Sequence, residues 1–84
     1  METIYKYEIA LTDSQALSLP ADAQILSIQE QGNCLCAWAR VDTCKPERDR
    51  TIICCGTGNK IEQDSMRFIS TVQMGSFVWH FFEL

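Results

Sequence analysis

Five cysteines, one histidine, a glycine-rich turn and a scatter of carboxylates are the groups in this chain with chemistry to offer. Cys34 and Cys36 share one face of an alternating run, while Cys54 and Cys55 are adjacent. Adjacent strand residues point to opposite faces, so Cys54 and Cys55 do not chelate one ion without a bulge. Structural zinc takes cysteine pairs with two to four residues between them, and no pair here has that spacing. The thiols are expected as small hydrophobes in or near the core, with no metal and no other cofactor. Because five is odd, an oxidising compartment would strand one thiol. Reduced cysteines and a cytoplasmic setting follow as the expectation.

His80 lies between Trp79 and Phe81 near the end of the chain. A Cys–His nucleophile needs a base within hydrogen-bond reach and a third group to orient it. Neither is visible in the spacing, so a half-exposed strand histidine is expected and no enzyme activity is assigned. Gly56-Thr57-Gly58-Asn59 has the composition of an anion nest, in which successive backbone amides hold a phosphate. It lacks the Gly-Lys-Ser/Thr ending of a P-loop and no amphipathic helix follows, so a plain strand-ending turn is the competing expectation. Asp42, Glu47, Asp49, Glu62 and Asp64 sit at strand ends and connections with nothing to link them into an acid–base pair.

These groups need a frame, and alternation supplies it. Gln31-Gly32-Asn33-Cys34 sets a Gly-Asn pair between two alternating runs, a two-residue hairpin signal. A tight turn there places Gln29 opposite Cys36, Ser27 opposite Trp38 and Ile25 opposite Arg40. Leu26, Ile28, Leu35, Ala37, Ala39 and Val41 then form an entirely apolar face. Trp38 and Arg40 project from the other face, the pairing of residue types that anchors interfaces. Met74-Gly75-Ser76-Phe77 opposes Val72 to Trp79, Thr71 to His80 and Ile69 to Phe82. Ile4 to Leu11, Gln15 to Leu19 and Arg50 to Cys55 complete the strands, and Ile61 to Met66 is long enough for one helical turn at most. The whole predicts an all-β fold, a small antiparallel sandwich or partly open barrel of about six strands in a single domain spanning 1–84.

Composition narrows the partners. The net charge of −4 and the scattered basic residues argue against direct nucleic-acid binding. No apolar stretch is long enough to span a bilayer, and the start of the chain lacks a secretory layout. The C-terminal strand, Phe77 to Phe82, carries Phe77, Trp79, Phe81 and Phe82 spread over both faces, with no Pro or Lys to protect it. Its unprotected aromatic surface predicts self-association as a dimer, the competing account being a central strand with both faces covered internally.

Several phrases carry a resemblance: Tyr5-Lys6-Tyr7-Glu8-Ile9, Ala23-Gln24-Ile25-Leu26-Ser27, Cys36-Ala37-Trp38-Ala39, Gly56-Thr57-Gly58, and Thr71-Val72-Gln73 leading to Val78-Trp79-His80-Phe81-Phe82-Glu83. Over nearly its whole length the chain resembles a family of small bacteriophage and prophage proteins without assigned function. Members of that family often have His where this chain has Asn59, and fewer cysteines. The resemblance implies a phage-encoded accessory protein acting in the host cytoplasm. In that setting the expected function is non-enzymatic binding that inhibits a host protein, for instance a defence effector in the manner of an anti-CRISPR. Its candidate contact residues are Trp38, Arg40, Gly56, Thr57, Gly58, Asn59 and His80. One alternative is a sponge for a small signalling nucleotide at an oligomer interface, with Gly56 to Gly58 on phosphate and Trp38 or Trp79 stacking a base. Another is a minor virion component.

Overall fold

Period-2 alternation covers most of the chain, and the computed structural model, which describes residues 1–84, converts it into seven antiparallel strands and no helix. They are β1 (Glu2–Ile9), β2 (Ser14–Pro20), β3 (Gln24–Gln31), β4 (Cys34–Asp42), β5 (Glu47–Gly56), β6 (Arg67–Met74) and β7 (Phe77–Glu83). Sheet A has the order β1-β4-β3 and sheet B the order β2-β5-β7-β6. The expected sandwich is present, with one strand more than the alternation suggested. The segment 61–66 forms no helical turn.

Both hairpins form where glycine allows them. Gly32 and Gly75 adopt φ of 62° and 61° at the first central position of their turns, while Asn33 and Ser76 keep negative φ. That is the type II′ arrangement, whose twist matches that of the flanking strands. Gln31 faces Cys34, Gln29 faces Cys36 and Ser27 faces Trp38, and Val72 faces Trp79 and Thr71 faces His80, as the alternation predicts.

Away from each turn the register departs from expectation in the same way. A bulge at Leu26 pairs Ile25 with Ala39 and Gln24 with Arg40. Ile25 therefore enters the core and Leu26 is 42% exposed. A second bulge at Ile69 sets Phe68, not Ile69, opposite Phe82. An extra residue bends its strand and increases its twist. Here the two bulged strands are the sheet edges that meet. Ser70, beside the second bulge, accepts the Ile28 N–H at 2.9 Å and lies 3.3 Å from the Ser27 hydroxyl. A side-chain stitch thus closes one side of the sandwich where no backbone ladder runs.

The core is one layer of side chains between the sheets. Ile25, Ile28, Leu35, Ala37, Ala39 and Val41 of sheet A meet Leu17, Leu19, Ile52, Val72 and Phe81 of sheet B. The molecule is correspondingly flat, with principal dimensions of 40 × 31 × 15 Å. The C-terminal strand β7 runs between β5 and β6, so the bare aromatic edge expected there does not exist. Its inward residues Trp79 and Phe81 join the core layer, and Val78, His80 and Phe82 point outward.

Candidate functional site

Sheet B faces outward with Thr51, Ile53 and Cys55 on β5, Val78, His80 and Phe82 on β7, and Phe68, Thr71 and Gln73 on β6. None of these nine residues is an acid, Lys or Arg; the outward charge of β5, Glu47 and Asp49, lies at the other end of that strand. Phe68 and Phe82, brought opposite each other by the Ile69 bulge, meet edge-to-face with ring centroids 5.7 Å apart. Phe68 remains 56% exposed. Beside this face a cleft of about 380 Å³ opens between β5 and the irregular segment after Asn59. It is lined by Ile53, Cys55, Ile61 and Met66, with Asp13 and Lys60 at its margin.

His80 occupies the middle of the face with both ring nitrogens engaged. Its Nε2 lies 2.7 Å from Thr57 Oγ1 and its Nδ1 lies 2.9 Å from Thr71 Oγ1. Thr57 Oγ1 is also 3.3 Å from the Val78 carbonyl. With the Thr57 hydroxyl donating to that carbonyl, Nε2–H donates to Thr57, and Nδ1 shares the second hydrogen bond with the Thr71 hydroxyl. The imidazole is held as a spacer between two threonines, and no carboxylate orients it as a base. The Gly56–Asn59 turn and His80 are therefore brought together, as the candidate residues Gly56, Thr57, Gly58, Asn59 and His80 require.

The turn itself is largely self-satisfied. Asn59 N–H donates to Gly56 O at 3.0 Å and Thr57 N–H donates to Val78 O at 3.3 Å. Two of the amides that an anion nest would aim at a phosphate already have partners. Gly58, at φ of 88°, takes the left-handed position of the turn, and Gly56 is pinned because a Cβ there would come within 3.1 Å of the Trp79 ring.

Trp38 and Arg40 lie elsewhere. They face outward from sheet A, among Glu2, Ile4, Lys6 and Glu8 of β1. Trp38 is half-buried rather than bare, and Arg40 Nε donates to Glu2 Oε1 at 2.8 Å. The seven candidate residues thus divide between opposite sides of the sandwich and do not form one site.

The thiols are distributed rather than clustered. Cys36 and Cys54 are buried, Cys34 and Cys55 half-buried and Cys44 exposed. Burial pushes the Cys54 thiol up to about 11, and the nearby Glu8 charge pushes Cys34 upward. Both shifts work against a nucleophilic thiolate.

One charged cluster escaped sequence reasoning. Glu83, only 8% exposed, points inward at the end of β7, where Arg50 grips it through both Nε and Nη2. Arg67 Nη2 donates to Glu83 Oε1 at 3.1 Å, and Arg50 Nη1 donates to Ala23 O at 2.8 Å. Burial would raise the Glu83 carboxyl, but the Arg50 and Arg67 guanidiniums outweigh it and hold the group below the ordinary glutamate range. This bidentate fork ties β5, β6 and β7 to the turn before β3. The only signal in the sequence is a lone Glu at the end of an aromatic strand, which reads as a surface charge.

No helix is long and apolar enough to cross a membrane. No curated protein and no solved structure matches the chain. A family model does match, across residues 1–84, and the chain belongs to that family, the domain of unknown function DUF7352.

Proposed function

We propose that this chain is a non-enzymatic binding protein that acts by covering part of another protein, and that its contact surface is the outward side of sheet B. The observation that carries this reading is the patch of that side, free of acidic residues, Lys and Arg, built around Phe68, Phe82, Ile53 and Val78. Interface centres are depleted of charge and enriched in aromatic residues, and an exposed phenylalanine on a rigid sheet is a suitable anchor. His80, fixed by Thr57 and Thr71, adds a polar centre.

The partner class follows from the resemblance to small phage proteins: a host protein in the cytoplasm, with a defence effector as the concrete target. The test is expression of the chain in cells whose CRISPR immunity restricts a phage. Restored plaquing that is lost in Phe68→Glu and kept in Arg40→Ala supports both the function and the face. Unchanged restriction, together with no specific host protein retained on the wild-type chain, overturns the reading.

A nucleotide sponge keeps one supporting observation. Phe77 and Trp79 stack with centroids 6.0 Å apart beside Gly56, Thr57 and Asn59. Calorimetry against a panel of cyclic nucleotides decides between the two readings, since binding that is lost in Trp79→Ala would favour the sponge.

A further inference from the structure

The sandwich is stitched shut at β3 and β6 and open at β1 and β2, the remaining edges of the two sheets. Strand edges carry unpaired N–H and C=O groups and are natural pairing templates. We propose that β1 is a dimerisation edge, on which two copies of this chain pair antiparallel with Ile4 opposite Ile4 and Glu2 opposite Lys6.

The direction of the free groups follows from one bond. Thr43 N–H donates to Met1 O at 2.9 Å, and these two residues continue the β1–β4 register in which Glu2 faces Asp42. Odd-numbered residues of β1 therefore bond to β4, and Glu2, Ile4, Lys6 and Glu8 aim their backbone groups at the open side. Ala10 is the next residue of that parity, and it is already taken. Gln15 Nε2 donates to Ala10 O at 2.7 Å and Gln15 Oε1 accepts from Ala10 N–H at 3.0 Å. The side-chain amide occupies that end of the edge as a neighbouring strand would, and leaves Glu2 to Glu8 open.

Charge then selects the register. With Ile4 on the two-fold axis, Glu2 of each copy faces Lys6 of the other, and Ile4, 58% exposed in one chain, meets its own counterpart. Moving the two-fold axis by one residue, to Tyr5, sets Glu2 against Glu8, and moving it by two, to Lys6, sets Lys6 against Lys6. Like charges directly opposite each other destabilise a strand pair. Pairing Lys6 with Glu8 would need Ala10, which Gln15 blocks. On β2 the free positions fall at Ser14, Ala16, Ser18 and Pro20, because Cys54 N–H bonds to Asp13 O. They offer neither charge complementarity nor a full set of donors.

A two-strand seam buries less than a standard interface of roughly 1,600 Å², so the equilibrium falls between micromolar and millimolar concentration. Sedimentation velocity across that range is expected to show a monomer–dimer transition in the wild-type chain. Glu2→Lys alone and Lys6→Glu alone each place like charges opposite one another twice and weaken the dimer about tenfold. Mixing the two variants restores it, because both cross-pairs become Lys opposite Glu. Ile4→Pro removes an N–H that no intrachain bond uses and abolishes pairing, with an unchanged circular dichroism spectrum showing that the fold is kept. A wild-type chain that stays monomeric at millimolar concentration overturns the proposal. A dimer indifferent to Ile4→Pro, or to mixing the charge variants, moves the contact off β1 and equally overturns it.

Discussion

The outward side of sheet A carries Glu2, Lys6, Glu8, Arg40 and Asp42, while on sheet B the outward positions of β7 and β6 and the second half of β5 carry no acidic residue, Lys or Arg, and the outward charge is confined to Glu47 and Asp49 at the start of β5. The same chain, with 21% charged residues, has left one patch of a plate only 15 Å thick free of acidic residues, Lys and Arg while charging the middle of the opposite side. Both faces include aromatic residues and both combine central strands with an edge strand, so position in the sheet does not separate them. What differs is how each face satisfies its polar groups. On sheet A, ions meet water or one another, as Arg40 meets Glu2 at 2.8 Å. On sheet B, Thr57, His80 and Thr71 close a chain of hydrogen bonds that includes no carboxylate, ammonium or guanidinium group. A face of the first kind resists association, because each ion must be desolvated. A face of the second kind gives up little when a partner displaces its water.

The largest effect that tests this contrast lies beneath sheet B. Its edge against sheet A is held by Glu83 between Arg50 and Arg67. Glu83→Gln keeps the shape and removes the charge, leaving the partly buried Arg50 without its counterion, at an expected cost of about 3 kcal/mol in urea unfolding. The folded Glu83 carboxyl titrates below its ordinary range. Its contribution is therefore complete above the unfolded value of about 4.3 and is lost as pH falls through the lower folded value. The gap between wild type and variant should close on acidification below that range. A gap independent of pH would mean that Glu83 acts through packing alone.

The strands and both hairpins were legible because glycine at the first turn position and strict alternation specify them locally. The bulges were not. An extra residue at Leu26 or Ile69 has no composition of its own, and it is needed only because β3 and β6 must bend to meet. The position of β7 was misread for a related reason: whether a strand is central or an edge depends on the long-range pairing with β5. The candidate residues were partly legible. Thr57 and His80 come together, whereas Trp38 and Arg40 belong to the other side of the plate. The sheet B patch could have been found by following alternate positions from Thr51 to Cys55, Phe68 to Gln73 and Val78 to Phe82, had the register at Phe68 been known.

A smaller effect probes the Thr57–His80–Thr71 network directly. Thr71→Val removes the hydroxyl 2.9 Å from His80 Nδ1 at nearly constant volume. The ring is half-buried, so water takes the vacated place only in part. The expected loss is about 0.5–1 kcal/mol, with the His80 ring resonances broadened in NMR spectra as its orientation loosens. If neither stability nor the ring signals change, His80 is held by the Thr57 contact and its strand neighbours alone.

The smallest effect belongs to sheet A, and its smallness is the point. Arg40 and Glu2 form a short ion pair, but both side chains are 60% exposed. Exposed pairs gain little Coulomb energy against water, lose side-chain freedom and are screened by salt. Arg40→Ala should therefore shift the unfolding free energy by less than about 0.5 kcal/mol, with the shift vanishing in molar salt. Trp38 next to it on β4 is half-buried by its own sheet, so losing the arginine uncovers no large apolar surface. A cost near that of Glu83→Gln would show that the charged face is a structural layer in its own right. The contrast between the faces would then mark two kinds of support, and no longer a solvated side and a binding side.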